Sequence, residues 1–246
     1  MTKDGRPSRL NDTRLFTGRG GDYLKGQDDA WAFARRLTWW LNGEGFSIGH
    51  NPALYVSYTT DLPVGVIEAE PPRFTPDDWW FRTVAVGVPQ ELVGENAFRV
   101  AADGLIACLK ALKPQDSALI DRTVKTVADA GSQCRFLLKV KDSARQLVEI
   151  STTIGSGSEP SLLYVGVTEK ATGAYREAPP AKLRSYDDGV YLAGKVKIAR
   201  RGVDLIPRTS TLSRLVVDQN PDAATWSADA LAEAERPVLS SLLRFR

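Results

Sequence analysis

Val84-Ala85-Val86-Gly87-Val88 and, 79 residues later, Leu163-Tyr164-Val165-Gly166-Val167 read as the closing strands of two similar blocks. Both runs are apolar, β-branched or aromatic, with glycine in fourth place, which is the composition of a buried strand. Before the first run, Tyr55, Ser57 and Thr59 alternate with Val56 and Tyr58 over 53–60, and Val64, Val66, Glu68 and Glu70 alternate with Gly65, Ile67 and Ala69 over 64–70. Such period-two patterns predict strands. Asp61-Leu62-Pro63 reads as a hairpin-like link, and Pro71-Pro72 as a firm stop. Upstream, Ala30, Phe33, Ala34, Leu37 and Leu41 share one face of a helix over 29–42. Asp28 is placed to cap it, and Gly43 to take the left-handed position beyond its end.

A helix over 91–112 carries Phe98, Ala101, Ala102, Leu105, Leu109 and Leu112 on one side, and a helix over 116–130 carries Leu119, Ile120, Val124 and Val127 before Gly131. Strands follow over 135–141, 146–153 and 161–167, then a final pair over 190–199 and 203–207 turning at Arg201-Gly202. Ser227 is a cap for a short helix over 228–235, and the run 238–245 is amphipathic. The pattern predicts an α+β fold of mostly antiparallel sheet with amphipathic helices packed on one face, arranged as two duplicated α-β-β-β units. Residues 1–26 are expected to form a flexible basic arm, 27–112 the first unit, and 113–246 the second unit with a helical C-terminal segment, all in one continuous body.

Composition narrows the chemistry. The 246 residues carry a formal net charge of +2, with +3 in residues 1–25 and −1 in the rest. A nearly neutral body lacks the charge excess that tracks a nucleic-acid backbone. Cys108, in a helical pattern, and Cys134, near a strand start, read as buried free thiols. Met1 to Arg14 is polar, with no apolar core of a secretory signal, and no run of about 18 apolar residues occurs. A cytoplasmic protein that does not enter membranes is therefore expected. His50 is the only histidine, which excludes metal sites with two histidines. It is the sole base available to a hydrolase triad, and no Gly-x-Ser-x-Gly elbow accompanies it. Leu163 to Thr168 with Arg176 and Glu177 resembles the second half of the GIY-YIG nuclease signature. Where the first half belongs stands Gly155-Ser156-Gly157, so the tyrosine that this family would require is missing.

Three groups of residues remain as candidates. Trp39, Trp40, Trp79 and Trp80 form two adjacent pairs, and neighbouring rings on a helix or strand cannot both point inward. With Phe16 in the arm, they point to a protein partner or self-association, since tryptophan is enriched at binding hot spots. Lys139 and Lys141 on one strand, Lys195 and Lys197 on another, and Arg200 and Arg201 at a turn offer a basic face for nucleic acid. Glu68 and Glu70, with Asp77 and Asp78 nearby, offer carboxylates for a divalent metal in a hydrolase. The sequence thus reads first as a non-enzymatic protein-binding or assembly protein without cofactor, either inhibitor- or chaperone-like or a subunit of a larger bacterial or phage complex. A nucleic-acid-binding protein or nuclease, and then a metal-dependent hydrolase, are the alternatives.

Overall fold

The computed structural model describes residues 7–19, 21–71, 80–90, 92–94, 96–199 and 201–245. Among the described residues the fold is α+β, with one mixed and two antiparallel sheets. The chain divides into two compact units, residues 1–131 and 132–246. No helix among the described residues is long and apolar enough to cross a membrane.

The first unit contains β1 (Asp12–Thr17), β2 (Asp22–Tyr23), α1 (Asp28–Gly43), β3 (Ala53–Thr59), β4 (Ile67–Ala69), β5 (Phe81–Gly87), α2 (Ala97–Leu112) and α3 (Ser117–Ala130). Its sheet runs β2-β1-β3-β5-β4, with β1, β3 and β5 parallel and the two short edge strands antiparallel. The expected hairpin of β3 with the next strand does not form. β3 is buried along nearly its whole length, as befits a central strand with a partner strand on each edge. The exposed β4 instead turns back onto the far edge of β5.

Gly87 makes that crossing feasible. A Cβ there would lie 2.0 Å from the Pro63 carbonyl oxygen, so the Leu62-Pro63 turn passes directly over a residue without a side chain. Residues 12–17, expected in a flexible arm, form β1 and are anchored on both sides. Leu10 N–H donates to Phe46 O at 3.0 Å, and the Asn42 amide donates to Leu10 O at 2.9 Å. Leu10 and Leu15 are fully buried. Too few apolar residues precede Tyr23 to announce a strand by periodicity, and its stability comes from tertiary pairing.

Helix α1 extends through Gly43, and Gly45 rather than Gly43 takes the left-handed conformation (φ +81°). Asp28 is the first residue of the helix rather than its cap, and the cap position falls to Gln27, which makes no side-chain cap hydrogen bond. Helix α2 begins at Ala97, several residues later than expected. All three helices pack against one another, and α1 and α2 contact strands. Thr38 of α1 shares a hydroxyl hydrogen bond of 2.6 Å with Thr13 of β1, and Tyr58 donates to Ala101 O of α2 at 2.6 Å. Thr13 and Tyr58 therefore mark the helix-covered face.

The second unit contains β6 (Phe136–Asp142), β7 (Gln146–Thr152), β8 (Ser161–Glu169), β9 (Tyr175–Glu177), β10 (Ala181–Leu183), α4 (Asp188–Leu192), β11 (Lys195–Ala199), β12 (Gly202–Ile206), α5 (Thr211–Gln219), β13 (Thr225–Ser227) and β14 (Ala232–Glu233). An antiparallel sheet runs β14-β9-β8-β7-β6 with β10 also on β8, and a three-stranded sheet runs β11-β12-β13. Val148, Ile150, Val165 and Val167 from the large sheet pack with Val196, Val203, Leu205 and Trp226 from the small one. The meander β6-β7-β8 differs from the parallel order of β3 and β5, so the expected duplication is absent. The matching runs at 84–88 and 163–167 share composition because both are buried central strands. The strand expected over 190–199 is divided, with α4 taking its first residues.

The helical C-terminal segment does not form either. Ser227 caps only a single turn, accepting from Asp229 N–H at 3.3 Å. The chain then extends. β14 pairs with β9, Ser240 N–H donates to Arg135 O at 2.9 Å, and Leu243 N–H donates to Leu137 O at 2.9 Å. Residues 232–243 thus bond to both outer strands of the large sheet. Between these anchors Arg236 reaches Glu149 on β7 at 2.6 Å.

Candidate functional site

Side-by-side residues in the parallel strands fix what each face of the first sheet carries. Thr13, Leu54 and Arg82 are aligned on the helix-covered face. The next position brings Arg14, Tyr55 and Thr83 together on the opposite face from the one where Thr13 meets α1 and Tyr58 meets α2. Phe16 belongs to this face as well, with Tyr23 beside it from β2.

The aromatic rings there form a continuous cluster. Phe16 stacks on Tyr23 with centroids 5.0 Å apart and meets Tyr55 at 5.1 Å. Tyr55 stacks on Phe81 at 4.4 Å and meets the edge of Trp80 at 5.5 Å. The Arg14 guanidinium lies 5.3 Å from the Tyr55 centroid and 5.4 Å from that of Trp80. It also donates to Asp12 at 2.9 Å and to the Tyr23 hydroxyl at 3.1 Å. Burial pushes the Tyr55 phenol up to about 12, against the opposing pull of Arg14. Phe16 is buried, Tyr55, Trp80 and Phe81 are half-buried, and Tyr23 is 50% exposed. The cluster is thus a preorganised platform whose rim is open.

Of the tryptophans and Phe16 read as a partner surface, only Phe16 and Trp80 enter this platform. Trp39 is buried in α1, Trp40 is half-buried, and Trp79 lies outside the described residues. Tyr55, Phe81 and Arg14 are the site residues that sequence reasoning missed. Their common face follows from parallel pairing, and an antiparallel reading scatters them.

Glu68 and Glu70 lie on the exposed edge beside this platform, and Glu68 aligns with Ala85. The Glu68 carboxylate is held by Arg19 at 2.5 Å, an exposed ion pair. Asp77 and Asp78 lie outside the described residues. Among the described residues, no group of three histidine, cysteine or acidic side chains is placed to hold a metal ion.

In the second unit, Lys139 aligns with Ile150 and Lys141 with Val148, so both sit on the core side of the large sheet at its edge strand. Lys195 and Lys197 are exposed and alternate with Val196 and Ile198, which face the core, so they point away from it. β6 and β11 are neighbours, but the two lysine pairs occupy different surfaces. Lys197 faces Asp204 across the strand pair, and Arg201 is exposed at the turn. Arg200 lies outside the described residues.

A polar cluster of a different kind fills the opposite face of the large sheet. Arg135 makes a two-pronged ion pair with Glu177 at 3.0 and 3.1 Å and lies over the Tyr164 ring, while Tyr175 donates to Glu177 at 2.7 Å. A Cβ on Gly166 would lie 2.2 Å from the Tyr175 hydroxyl oxygen, so glycine makes room for that ring. Arg176, on the neighbouring position of β9, aligns with Val167 and projects to the other face. Tyr164 and Arg176 therefore lie on opposite faces of the sheet. Comparison of the chain with protein-family models, with curated proteins and with solved structures finds no match in any of the three.

Proposed function

We propose that the first unit is a protein-recognition module whose contact surface is the aromatic platform of Tyr23, Tyr55, Trp80 and Phe81 around Arg14. The observation that carries this reading is the fixed ring cluster with an arginine at its centre, on the sheet face opposite the contacts with α1 and α2. Tyrosine, tryptophan and arginine dominate binding hot spots because each offers a large contact area and a polar tip for little lost rotamer freedom. The stacked rings hold one another in place, so little ordering remains to oppose association.

Charge favours protein over nucleic acid as the occupant. Residues 1–131 carry 15 basic and 17 acidic side chains, a net of −2. Arg14 is partnered by Asp12 and Arg19 by Glu68, which leaves little free positive charge beside the rings for phosphates. The second reading, single-stranded nucleic acid, rests on the same rings, since bases stack on aromatic side chains of open sheets.

The test is affinity purification from the cell of origin with the wild-type chain and with Trp80→Ala and Arg14→Ala variants. A stoichiometric protein that withstands high salt and is lost from both variants supports the module. Nucleic acid that salt removes moves the assignment to the second reading. A protein retained equally by wild type and variants places recognition elsewhere.

A further inference from the structure

The second unit carries a cavity of about 510 Å³ that the platform does not involve. Its size is that of small-molecule sites, which run from about 300 to 1,000 Å³. One rim is the turn between β6 and β7, with Ser143 and Arg145, and the opposite rim is the hairpin of β11 and β12, with Ile198 and Val203. Val167 and Arg176 lie between them.

Two features bear on what this cavity could hold: exposed Arg145 and half-buried Arg176, and an apolar wall. Two guanidinium-bearing side chains line it from separate segments, and among the described residues neither forms a side-chain hydrogen bond or ion pair. Glu233 aligns with Arg176 across β9 and β14 without forming an ion pair with it. The remaining lining is largely apolar, with Val167, Ile198, Val203 and Leu231. The surroundings are electropositive too, as residues 132–246 carry 17 basic and 13 acidic side chains, a net of +4.

A half-open pocket with an apolar wall and two unpaired guanidinium forks suits a ligand with a flat or apolar body and a compact anionic group. A carboxylate is satisfied by one fork, whereas the terminal oxygens of a phosphate can engage both. Guanidinium planes also stack on aromatic rings. We propose that this cavity is a binding site for a nucleoside phosphate, with Arg145 and Arg176 holding the phosphate and the apolar wall taking the ring. The ligand is a free mononucleotide or the phosphorylated end of a strand, which share this chemistry.

Isothermal titration of the full chain with each of the four nucleoside monophosphates, the matching nucleosides and inorganic phosphate tests the site. At least one monophosphate is expected to bind, with its nucleoside and inorganic phosphate each weaker by about tenfold or more. Arg145→Ala/Arg176→Ala is expected to lower that affinity by about tenfold or more, and Arg176→Lys to lower it part-way, because lysine keeps the charge and loses the fork. Thermal melting of each variant establishes that it is folded. A short single strand with a 5′ phosphate, compared with the same strand ending in a hydroxyl, separates the sources: tighter binding of the phosphorylated strand than of the mononucleotide assigns a strand end, and the reverse assigns the free nucleotide. Absence of binding by every phosphorylated probe, or binding unchanged in the folded double variant, overturns the proposal.

Discussion

Arg236 donates to Glu149 at 2.6 Å across 87 positions of sequence, and the pair joins a half-exposed guanidinium to a carboxylate whose side chain is only 7% exposed. The second carboxylate oxygen, Oε2, is buried without a protein hydrogen bond. Glu149 thus depends on this contact to offset its burial. Arg236→Ala is expected to lower stability by about 1–3 kcal/mol, the cost of leaving a buried charged group without its partner. Adding Glu149→Gln to that variant should restore part of the loss, because the uncompensated charge is then gone. Urea unfolding of the two variants and the wild type measures both effects.

Gly87→Ala is expected to be among the most destabilising small substitutions in the first unit. The added methyl meets the Pro63 carbonyl at 2.0 Å, and that obstacle is backbone, which cannot rotate aside. A loss of about 3 kcal/mol is expected, at the upper end for overpacking. Calorimetric melting of the variant checks it.

Alkaline pH should destabilise the protein in a specific window. The Tyr55 phenol is raised by burial from about 10 to about 12, and Tyr58, Tyr164, Tyr175 and Tyr191 are also raised, each chiefly by burial. A raised phenol means that the folded state holds its proton after the unfolded state has released it. The stabilisation is therefore complete below the unfolded value and is lost as pH climbs toward the folded one. Stability is expected to fall from about pH 10 upward. Tyr55→Phe should make the decline shallower by about one proton between pH 10 and about 12. Urea midpoints across that range supply the measurement.

Both cysteines should resist thiol reagents in the folded protein. Cys108 is fully buried and Cys134 is 1% exposed, and burial pushes the Cys108 thiol up to about 12, far from its nucleophilic form at neutral pH. A chromogenic disulfide reagent is expected to titrate neither group before denaturant is added and both afterwards. Rapid native-state labelling of Cys108 would show that the helix layer opens locally.

Arg14→Ala is expected to separate binding from stability. The side chain is 36% exposed and its ion pair with Asp12 is worth less than about 1 kcal/mol. A near-unchanged melting curve, together with loss of the protein partner in affinity purification, is the expected outcome.

How far the sequence could be read follows from the range of the interactions involved. α1 and α3 were legible because their apolar stripes repeat along a single helix, and Gly131 ended α3 with a positive φ of 52° as its composition predicts. The strands at 53–59, 81–87 and 146–152 were legible from residue type. Strand direction was not. Tyr55 and Phe81 look like ordinary alternating residues until β3 and β5 are set parallel, and nothing local to either strand encodes that choice. β1 is similar, since Thr13 is buried only because Thr38 of α1 is there to share a hydrogen bond. The site inherited this limit. Trp80 and Phe16 drew notice as conspicuous aromatics, whereas Arg14 acquires meaning only from three strands brought side by side.

The stretch that bonds to both margins of the large sheet also bears on the order of synthesis. Residues 232–243 follow every strand that they seal, so a growing chain carries β6 and β9 with unpaired backbone groups until this stretch emerges from the ribosome. Open strand margins are templates for pairing with other chains. The nascent second unit is thus exposed to misassembly until residues 232–243 arrive, and a translational pause just ahead of Ala232 would lengthen that interval.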